Sequence, residues 1–170
     1  ATELSGDMLY VLEGKQAVVK QENYTYGVFV TANPRSDCMY DYASYGYVAY
    51  DAAGNELFTE DSGYLETVLP GGQTVEIIYF PDEAQSADRF MVTLEPGECK
   101  PAPAAADALS ISNAVFFDDE YSPIATALLN NNLDDYQTDI FVGALAYDAA
   151  GQIVGFGSSY INQVFPSDYT

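Results

Sequence analysis

Short apolar segments alternate with polar turns along most of the chain, and this pattern predicts β-strands. No segment has the period of about 3.6 residues that is typical of an amphipathic helix. Turn residues recur about every 8 to 12 positions, a spacing that indicates an antiparallel β-sandwich. The predicted strands are residues 28–32, 45–51, 55–59, 74–80 and 89–94 in the first half of the chain, and residues 125–129, 140–148 and 152–156 in the second half.

The second half of the chain repeats the first half at an offset of 97 positions. The alignment pairs Asn33 with Asn130, and it brings residues 49–54, Ala-Tyr-Asp-Ala-Ala-Gly, onto the identical residues 146–151. After one deletion the matching residues are Tyr64, Val68, Pro70 and Thr74 with Tyr160, Val164, Pro166 and Thr170. The chain is therefore expected to contain two copies of one structural unit.

The Asp-Ala-Ala-Gly segment of each copy predicts a hairpin turn. Its aspartates, Asp51 and Asp148, can accept backbone N–H bonds at the first position of the turn. Its glycines, Gly54 and Gly151, can adopt the positive φ that such a turn requires. The strands on either side of each turn are therefore expected to pair.

The repeat divides the chain into four predicted segments. They are an extra N-terminal strand at 1–11, a first repeat at 12–99, a Pro- and Ala-rich linker at 100–107 that cannot form a strand, and a second repeat at 108–170. Because Thr170 aligns with Thr74, the second repeat has no counterpart of residues 75–99, which supply the closing strands of the first. We therefore predict an all-β fold of two tandem antiparallel β-sandwich units, the second lacking its closing strands.

Each copy has the same order of features: a strand, an Asn-containing turn, a strand ending in Tyr-Asp, an Asp-x-x-Gly turn, a return strand and a Pro-Gly turn. In this order the chain resembles the FxLYD domain, an immunoglobulin-like module of bacterial and archaeal surface proteins and lipoproteins. The Leu position of that motif holds Ala49 or Ala146, and its Phe position holds Tyr47 or Ala144. The resemblance implies an immunoglobulin-like fold for both units, an extracytoplasmic location and no catalytic residues.

Charge excludes several classes of partner. The chain has 5 Lys plus Arg against 26 Asp plus Glu, which gives a net charge of −21. Since this charge repels nucleic acids and anionic membranes, we expect neither as a partner. No apolar run approaches the roughly 18 residues of a membrane span, so membrane insertion is not expected.

The chain contains no histidine, which removes Ser-His-Asp and Cys-His nucleophilic sites and most zinc sites. No Gly-rich loop has the strand-to-helix setting of a phosphate site. We therefore predict that the protein is not an enzyme and needs no cofactor.

The two cysteines, Cys38 and Cys99, have neither metal-site nor redox-motif spacing. We predict that they form a disulfide that closes the first repeat, with two buried free thiols as the alternative. Disulfides persist in oxidising compartments, so we expect an extracellular or cell-surface protein.

Two acidic clusters at strand ends are weak candidates for calcium binding, because calcium prefers oxygen ligands. Solvated acidic turns are the alternative, since neither cluster has EF-hand spacing. The clusters are Asp118, Asp119 and Glu120, and Asp134 and Asp135.

Asn23, Tyr24 and Thr25 match the acceptor pattern for N-linked glycosylation at Asn23. Modification there would depend on a host that glycosylates.

Four closely spaced tyrosines of the first repeat are candidates for an interface: Tyr40, Tyr42, Tyr45 and Tyr47. Their odd and even positions place rings on both faces of a strand. Tyrosine is enriched at protein interfaces, and it also stacks on sugars. Ordinary core packing, protein contact and glycan contact are the three alternatives.

The N-terminal segment contains a spare apolar strand, formed by Met8, Leu9, Tyr10, Val11 and Leu12. Both of its faces are apolar, as in a strand that lies between two sheets. We therefore predict that this strand completes the second repeat of a neighbouring copy by donor-strand complementation. Such head-to-tail contact would build a homopolymeric surface filament. The alternative is a tandem adhesion or stalk module that binds another surface protein or a glycan.

Overall fold

A computed structural model of the chain describes residues 8–21, 23–102, 108–117 and 124–166. Most of these residues lie in β-strands with antiparallel pairing, which confirms the predicted all-β antiparallel fold. The segment Asp82–Ala84 is a single 3-10 turn, and none of the described residues forms a helix able to cross a membrane. The strands are β1 (Tyr10–Gln21), β2 (Tyr24–Ala32), β3 (Cys38–Tyr40), β4 (Ser44–Tyr50), β5 (Glu56–Tyr64), β6 (Gln73–Tyr79), β7 (Arg89–Glu95), β8 (Cys99–Pro101), β9 (Leu109–Phe117), β10 (Ile124–Asn131), β11 (Gln137–Tyr147) and β12 (Ile153–Val164).

The chain divides into two compact units, which we call the first and second units. The first unit comprises Ala1–Ala105 and Leu145–Phe156, and the second comprises Ala106–Ala144 and Gly157–Thr170. The boundary between the units therefore does not follow the sequence repeat, because a short piece of the second repeat belongs to the first unit.

Two three-stranded sheets build the first unit, in the orders β1–β2–β6 and β5–β4–β7. Both sheets contribute to one apolar core, whose residues include Phe29, Ala49, Ile78 and Phe90. Phe80, directly after β6, is fully buried, and its ring stacks on that of Tyr47 with centroids 5.5 Å apart. The first unit is therefore a β-sandwich.

The piece of the second repeat that joins the first unit is the tip of the β11–β12 hairpin, Leu145–Phe156. Ile153 at this tip is 8 % exposed and packs with Val19 and Val28. Val28 neighbours the core residue Phe29, so successive side chains place it on the outer face of the β1–β2–β6 sheet. Strand β2 is consequently buried on both faces, which explains its continuous apolar sequence.

Cys38 on β3 and Cys99 on β8 form the predicted disulfide, with Cα atoms 5.5 Å apart. The two cysteines are separated by 61 positions in the sequence. Closing a loop of this size stabilises a fold by roughly 4 kcal/mol in the chain-entropy treatment.

The prediction that residues 100–107 cannot form a strand is wrong for Lys100 and Pro101. Both belong to β8, where Pro101 lies opposite Cys38. The disulfide holds this segment against β3, and proline is tolerated because β8 is an edge strand. Residues 103–107 of the predicted linker lie outside the described residues.

Both Asp-Ala-Ala-Gly segments form the predicted turns. The backbone N–H of Gly54 donates to the carbonyl of Asp51, and that of Gly151 donates to the carbonyl of Asp148, each at 3.0 Å. Each aspartate carboxylate also accepts a backbone N–H at 2.8 Å from the residue four positions later. The φ angles of Gly54 and Gly151 are 88° and 80°, in the region that favours glycine.

The alignment of Asn33 with Asn130 is wrong by one residue. The side-chain amide of Asn33 donates to the carbonyl of Val68 at 3.3 Å and to that of Cys38, the first residue of β3, at 2.8 Å. The amide of Asn131 likewise donates to the carbonyl of Val164 at 3.2 Å and to that of Asp135, shortly before β11, at 2.7 Å. Asn131 is therefore the structural equivalent of Asn33, and the second repeat is one residue shorter in the turn that follows.

Candidate functional site

Two strands of the second repeat have fewer partners than their equivalents in the first. In the first unit β2 lies between β1 and β6, and β4 lies between β5 and β7. Their equivalents β10 and β11 each pair with one strand, β9 and β12, within the described residues. The remaining edge of β10 carries one isolated bridge, between Asn131 and Pro166 at its end. The edge of β10 away from β9 and the edge of β11 away from β12 are called the acceptor edges. They can present backbone N–H and C=O groups to a further strand.

The second unit buries very little apolar surface. Among its described residues, Ala108 is the one apolar residue that is buried, at 6 % exposure. Nine of its large apolar residues are between 48 % and 64 % exposed: Ile111, Val115, Phe116, Phe117, Ile124, Leu128, Tyr136, Tyr160 and Phe165. Exposed apolar surface of this extent makes the second unit a candidate interaction site.

The N-terminal segment that we predicted to be a donor strand lies in the first unit. Leu9 is 2 % exposed and belongs to the core of that unit. Met8 and Tyr10 are 43 % and 37 % exposed, whereas Val11 and Leu12 are half-buried. The expectation that both faces of this segment are buried is therefore wrong here, because Leu9 and Val11 pack on the core whereas Met8 and Tyr10 on the other face are exposed.

A bulge separates this segment from the rest of β1. The pairing register with β2 shifts between Val11 and Gln16, and Gly14 in this interval has a φ of 71°. Before the bulge, Tyr10 and Val11 pair with β2; after it, pairing continues from Gln16 to Gln21. The bulge therefore divides β1 into two separately paired parts.

Of the four tyrosines predicted to form an interface, two are core residues and cannot contact a partner. Tyr40 and Tyr47 are 3 % and 5 % exposed, while Tyr45 is half-buried with its ring 5.4 Å from that of Phe29. Burial raises the pKa of Tyr45 and of Tyr47 to about 12. Tyr42 is 71 % exposed. The four tyrosines do not alternate between two faces of one strand, because Tyr40 lies on β3 whereas Tyr45 and Tyr47 lie on β4. The turn between these strands changes the relation between odd or even position and strand face.

A different set of aromatic rings forms a continuous row in the first unit, and we call it the aromatic row. Ring centroids lie 5.3 Å apart for Tyr24 and Tyr79, 5.7 Å for Tyr79 and Tyr26, and 4.8 Å for Tyr26 and Phe156. The sequence offered one signal for it, because Tyr24 and Tyr26 are two positions apart and share a strand face. The position of Tyr79 depends on strand pairing, which the sequence does not reveal.

The calcium candidates fall into two groups. Asp118, Asp119 and Glu120 lie outside the described residues, whereas Asp134 and Asp135 are exposed in the turn after β10. No group of three or more potential metal ligands occurs within the described part of the chain. Calcium binding at either cluster stays a prediction.

The first residue of the glycosylation pattern, Asn23, is exposed, whereas its third residue, Thr25, is buried. Asn23 is exposed in the turn between β1 and β2. Thr25 is 4 % exposed, and its hydroxyl donates to the backbone carbonyl of Gln85 at 2.6 Å. The folded protein therefore hides the hydroxyl group of the pattern, so any modification would have to precede folding.

One carboxyl group is buried in the first unit. Glu76 on β6 is 7 % exposed, and its Oε1 accepts the backbone N–H of Glu66 at 3.1 Å. It lies opposite Phe29 in the β2–β6 ladder. Burial raises the pKa of Glu76 to about 8, so this side chain is a neutral acid at neutral pH.

The chain matches no protein-family model, no curated protein and no solved structure. The resemblance to the FxLYD domain therefore stays a prediction.

Proposed function

We propose that this chain is a non-enzymatic structural protein of the cell exterior, whose copies assemble head-to-tail into a filament by donor-strand complementation. The observation that carries this proposal is the pair of acceptor edges on β10 and β11, beside large exposed apolar side chains. The disulfide between Cys38 and Cys99 supports an exterior location, because such bonds persist in oxidising compartments.

An added strand would pair its backbone with an acceptor edge. Its side chains would also cover exposed apolar residues of the second unit, such as Phe117 and Leu128. Each apolar side chain that becomes fully buried contributes about 1.5 to 3 kcal/mol. Covering several of them offsets the entropy lost when a short strand becomes ordered.

The proposed donor is the segment from Met8 to Leu12 of a neighbouring copy. Within its own chain this segment fully buries Leu9 alone, and the bulge before Gln16 lets it leave without breaking the main β1 ladder. Between two sheets, Met8 and Tyr10 would become buried as well. This gain has to exceed the cost of emptying the Leu9 site, which is about 2 to 5 kcal/mol for removal of a buried leucine side chain.

Charge sets the conditions under which copies can meet. Residues 101–170 contain no Lys or Arg, and neither do residues 1–12 that include the donor. Like charges therefore oppose contact between donor and acceptor, and salt screens them over a Debye length of about 10 Å at 0.1 M. We expect filaments to form more readily as the salt concentration rises.

Light scattering and electron microscopy of the purified chain, at low and high salt, test this proposal. Met8→Asp should abolish filaments, because it would bury a charge in the joint while leaving the exposed position 8 of the first unit undisturbed. Met91→Asp is the matched control, since Met91 is 58 % exposed on β7 and lies outside the donor segment. Deleting residues 1–11 should also abolish assembly, and fusing them after Thr170 should restore self-association.

Wild-type protein that stays monomeric at high concentration and high salt would contradict the filament. The second candidate, a tandem adhesion or stalk module, would then be favoured. The burial of Leu9 in its own first unit is the observation that supports this alternative.

A further inference from the structure

The aromatic row lies at the uncovered end of the outer face of the β1–β2–β6 sheet. Tyr26 and Tyr79 are direct partners in the β2–β6 ladder, and Tyr24 is the first residue of β2. Farther along the same face, the hairpin tip covers Val28 through Ile153. Tyr24 and Tyr79 are left 46 % and 51 % exposed, so their rings can meet a ligand from solvent.

Comparison of the two repeats indicates that the fold does not require an aromatic ring at the position of Tyr26. Because Asn131 is equivalent to Asn33, the position equivalent to Tyr26 in β10 is Ile124, an aliphatic residue. An aliphatic side chain therefore serves at this strand position in one copy of the fold.

Polar groups surround the exposed rings. Gln21 lies opposite Tyr24 in the β1–β2 ladder, and Asn23 precedes it in the turn. Asp82 is exposed at the start of the 3-10 turn, three residues after Tyr79 in the chain. Desolvation raises the pKa of the Tyr79 hydroxyl. Amides and a carboxylate beside ring faces suit a ligand that has an apolar face and a rim of hydroxyl groups.

We infer that the aromatic row binds a neutral glycan, whose sugar rings pack on Tyr24 and Tyr79 while their hydroxyl groups bond to the flanking amides and carboxylate. A net charge of −21 disfavours acidic glycans and other polyanions. A protein partner is disfavoured because the centres of protein interfaces are depleted of charged residues such as Asp82. This inference does not depend on the filament, since the row belongs to the first unit, whereas β10 and most of β11 belong to the second.

Affinity electrophoresis in native gels tests the inference, because so acidic a chain migrates readily. Gels contain mannan, a mixed-linkage β-glucan, xylan or, as the anionic comparison, polygalacturonate. Calorimetry then measures the affinity for a hexasaccharide of the polymer that retards the protein. At least one neutral polymer is expected to retard it, and polygalacturonate is not.

The variants Tyr24→Ala and Tyr79→Ala should each weaken binding about tenfold, the loss expected for one ring contact. Tyr79→Phe should retain most of the affinity because it keeps the ring. Tyr64→Ala is the matched control, since Tyr64 is 67 % exposed on β5, outside the row, and its loss should change affinity less than twofold. Thermal unfolding of every variant shows whether the fold is intact.

The inference is wrong if no neutral polymer retards the folded protein, or if polygalacturonate alone does. It is equally wrong if Tyr64→Ala weakens binding as much as Tyr24→Ala. A protein partner whose binding depends on Tyr24, together with no glycan binding, would also overturn it.

Discussion

Asn33 and Asn131 hold equivalent positions in the two repeats, although the sequence aligns best with Asn130 opposite Asn33. Both side chains are almost fully buried, at 2 % and 1 % exposure. Each oxygen also accepts the backbone N–H of the residue two positions later, at 3.0 Å. A buried asparagine that joins two segments of backbone is therefore the feature that the repeats share most closely.

Replacing either equivalent asparagine should destabilise the protein, because buried backbone groups would lose their partners. We expect Asn33→Ala and Asn131→Ala each to lower the free energy of unfolding by about 1 to 3 kcal/mol. Asn130→Ala is the matched control, since the bonds of Asn130 to β9 are exposed, and it should have a smaller effect. Urea unfolding of the three variants measures this, and an Asn130→Ala effect as large as that of Asn131→Ala would refute the equivalence.

Stability should fall as pH rises from about 4.5 to about 8 through the ionisation of Glu76. Its pKa is raised from 4.5 to about 8 in the folded protein, so in this window the folded state holds a proton that the unfolded state has lost. Glu76→Gln keeps an oxygen for the N–H of Glu66 and removes the ionisation. We expect it to stabilise the protein by about 2 to 4 kcal/mol above pH 8 and to change little below pH 4.5.

Unfolding measured at pH 4.5, 6.5 and 8.5 checks this expectation. Glu13→Gln is the control, because it removes the same charge from an exposed position on β1. Equal stabilisation by both variants at every pH would mean that the general reduction in negative charge, rather than the burial of Glu76, is responsible.

Thr31→Val should stabilise the first unit. Thr31 is fully buried, and its hydroxyl has no hydrogen-bond partner within the described part of the chain. Replacing it by a methyl group removes an unsatisfied polar atom, with an expected gain of about 1 kcal/mol. Thr25→Val should instead lower the free energy of unfolding by a similar amount, because the Thr25 hydroxyl donates a hydrogen bond to the backbone carbonyl of Gln85. Thermal unfolding of the pair should show melting temperatures that move in opposite directions.

Reduction of the disulfide should lower the free energy of unfolding by roughly 4 kcal/mol, as expected for a long closed loop. The double variant Cys38→Ala, Cys99→Ala should reproduce the loss and become insensitive to reductant. Urea unfolding with and without dithiothreitol measures both effects. A wild-type transition that reductant leaves unchanged would contradict the stabilising role of this bond.

Features whose determinants lie close together in the sequence could be predicted from it. The turns at Asp51 and Asp148 depend on one carboxylate and one glycine three positions later, so they form as expected. The strands on either side of them also fall where alternation placed them. The pairing of Cys38 with Cys99 could be predicted because the chain has two cysteines and neither metal-site nor redox-motif spacing.

Features that depend on distant contacts could not be predicted. An apolar strand such as the one around Leu9 fits any groove of matching shape, and its sequence does not state which groove it occupies. Two adjacent asparagines, Asn130 and Asn131, look alike until the partner carbonyl of Val164 is known. The aromatic row could not be predicted because Tyr24 and Tyr79 lie on different strands. Their rings come together only through the pairing register of β6 on β2.

The packing of Ile153 against Val19 and Val28 has a consequence for the order of events during synthesis. Domains generally fold as their residues emerge from the ribosome, starting with the N-terminal part of the chain. Here the outer face of the β1–β2–β6 sheet stays uncovered until the hairpin tip, Leu145–Phe156, has been translated. About 50 further residues beyond Ala105 must therefore be translated before this apolar sheet face of the first unit can be covered.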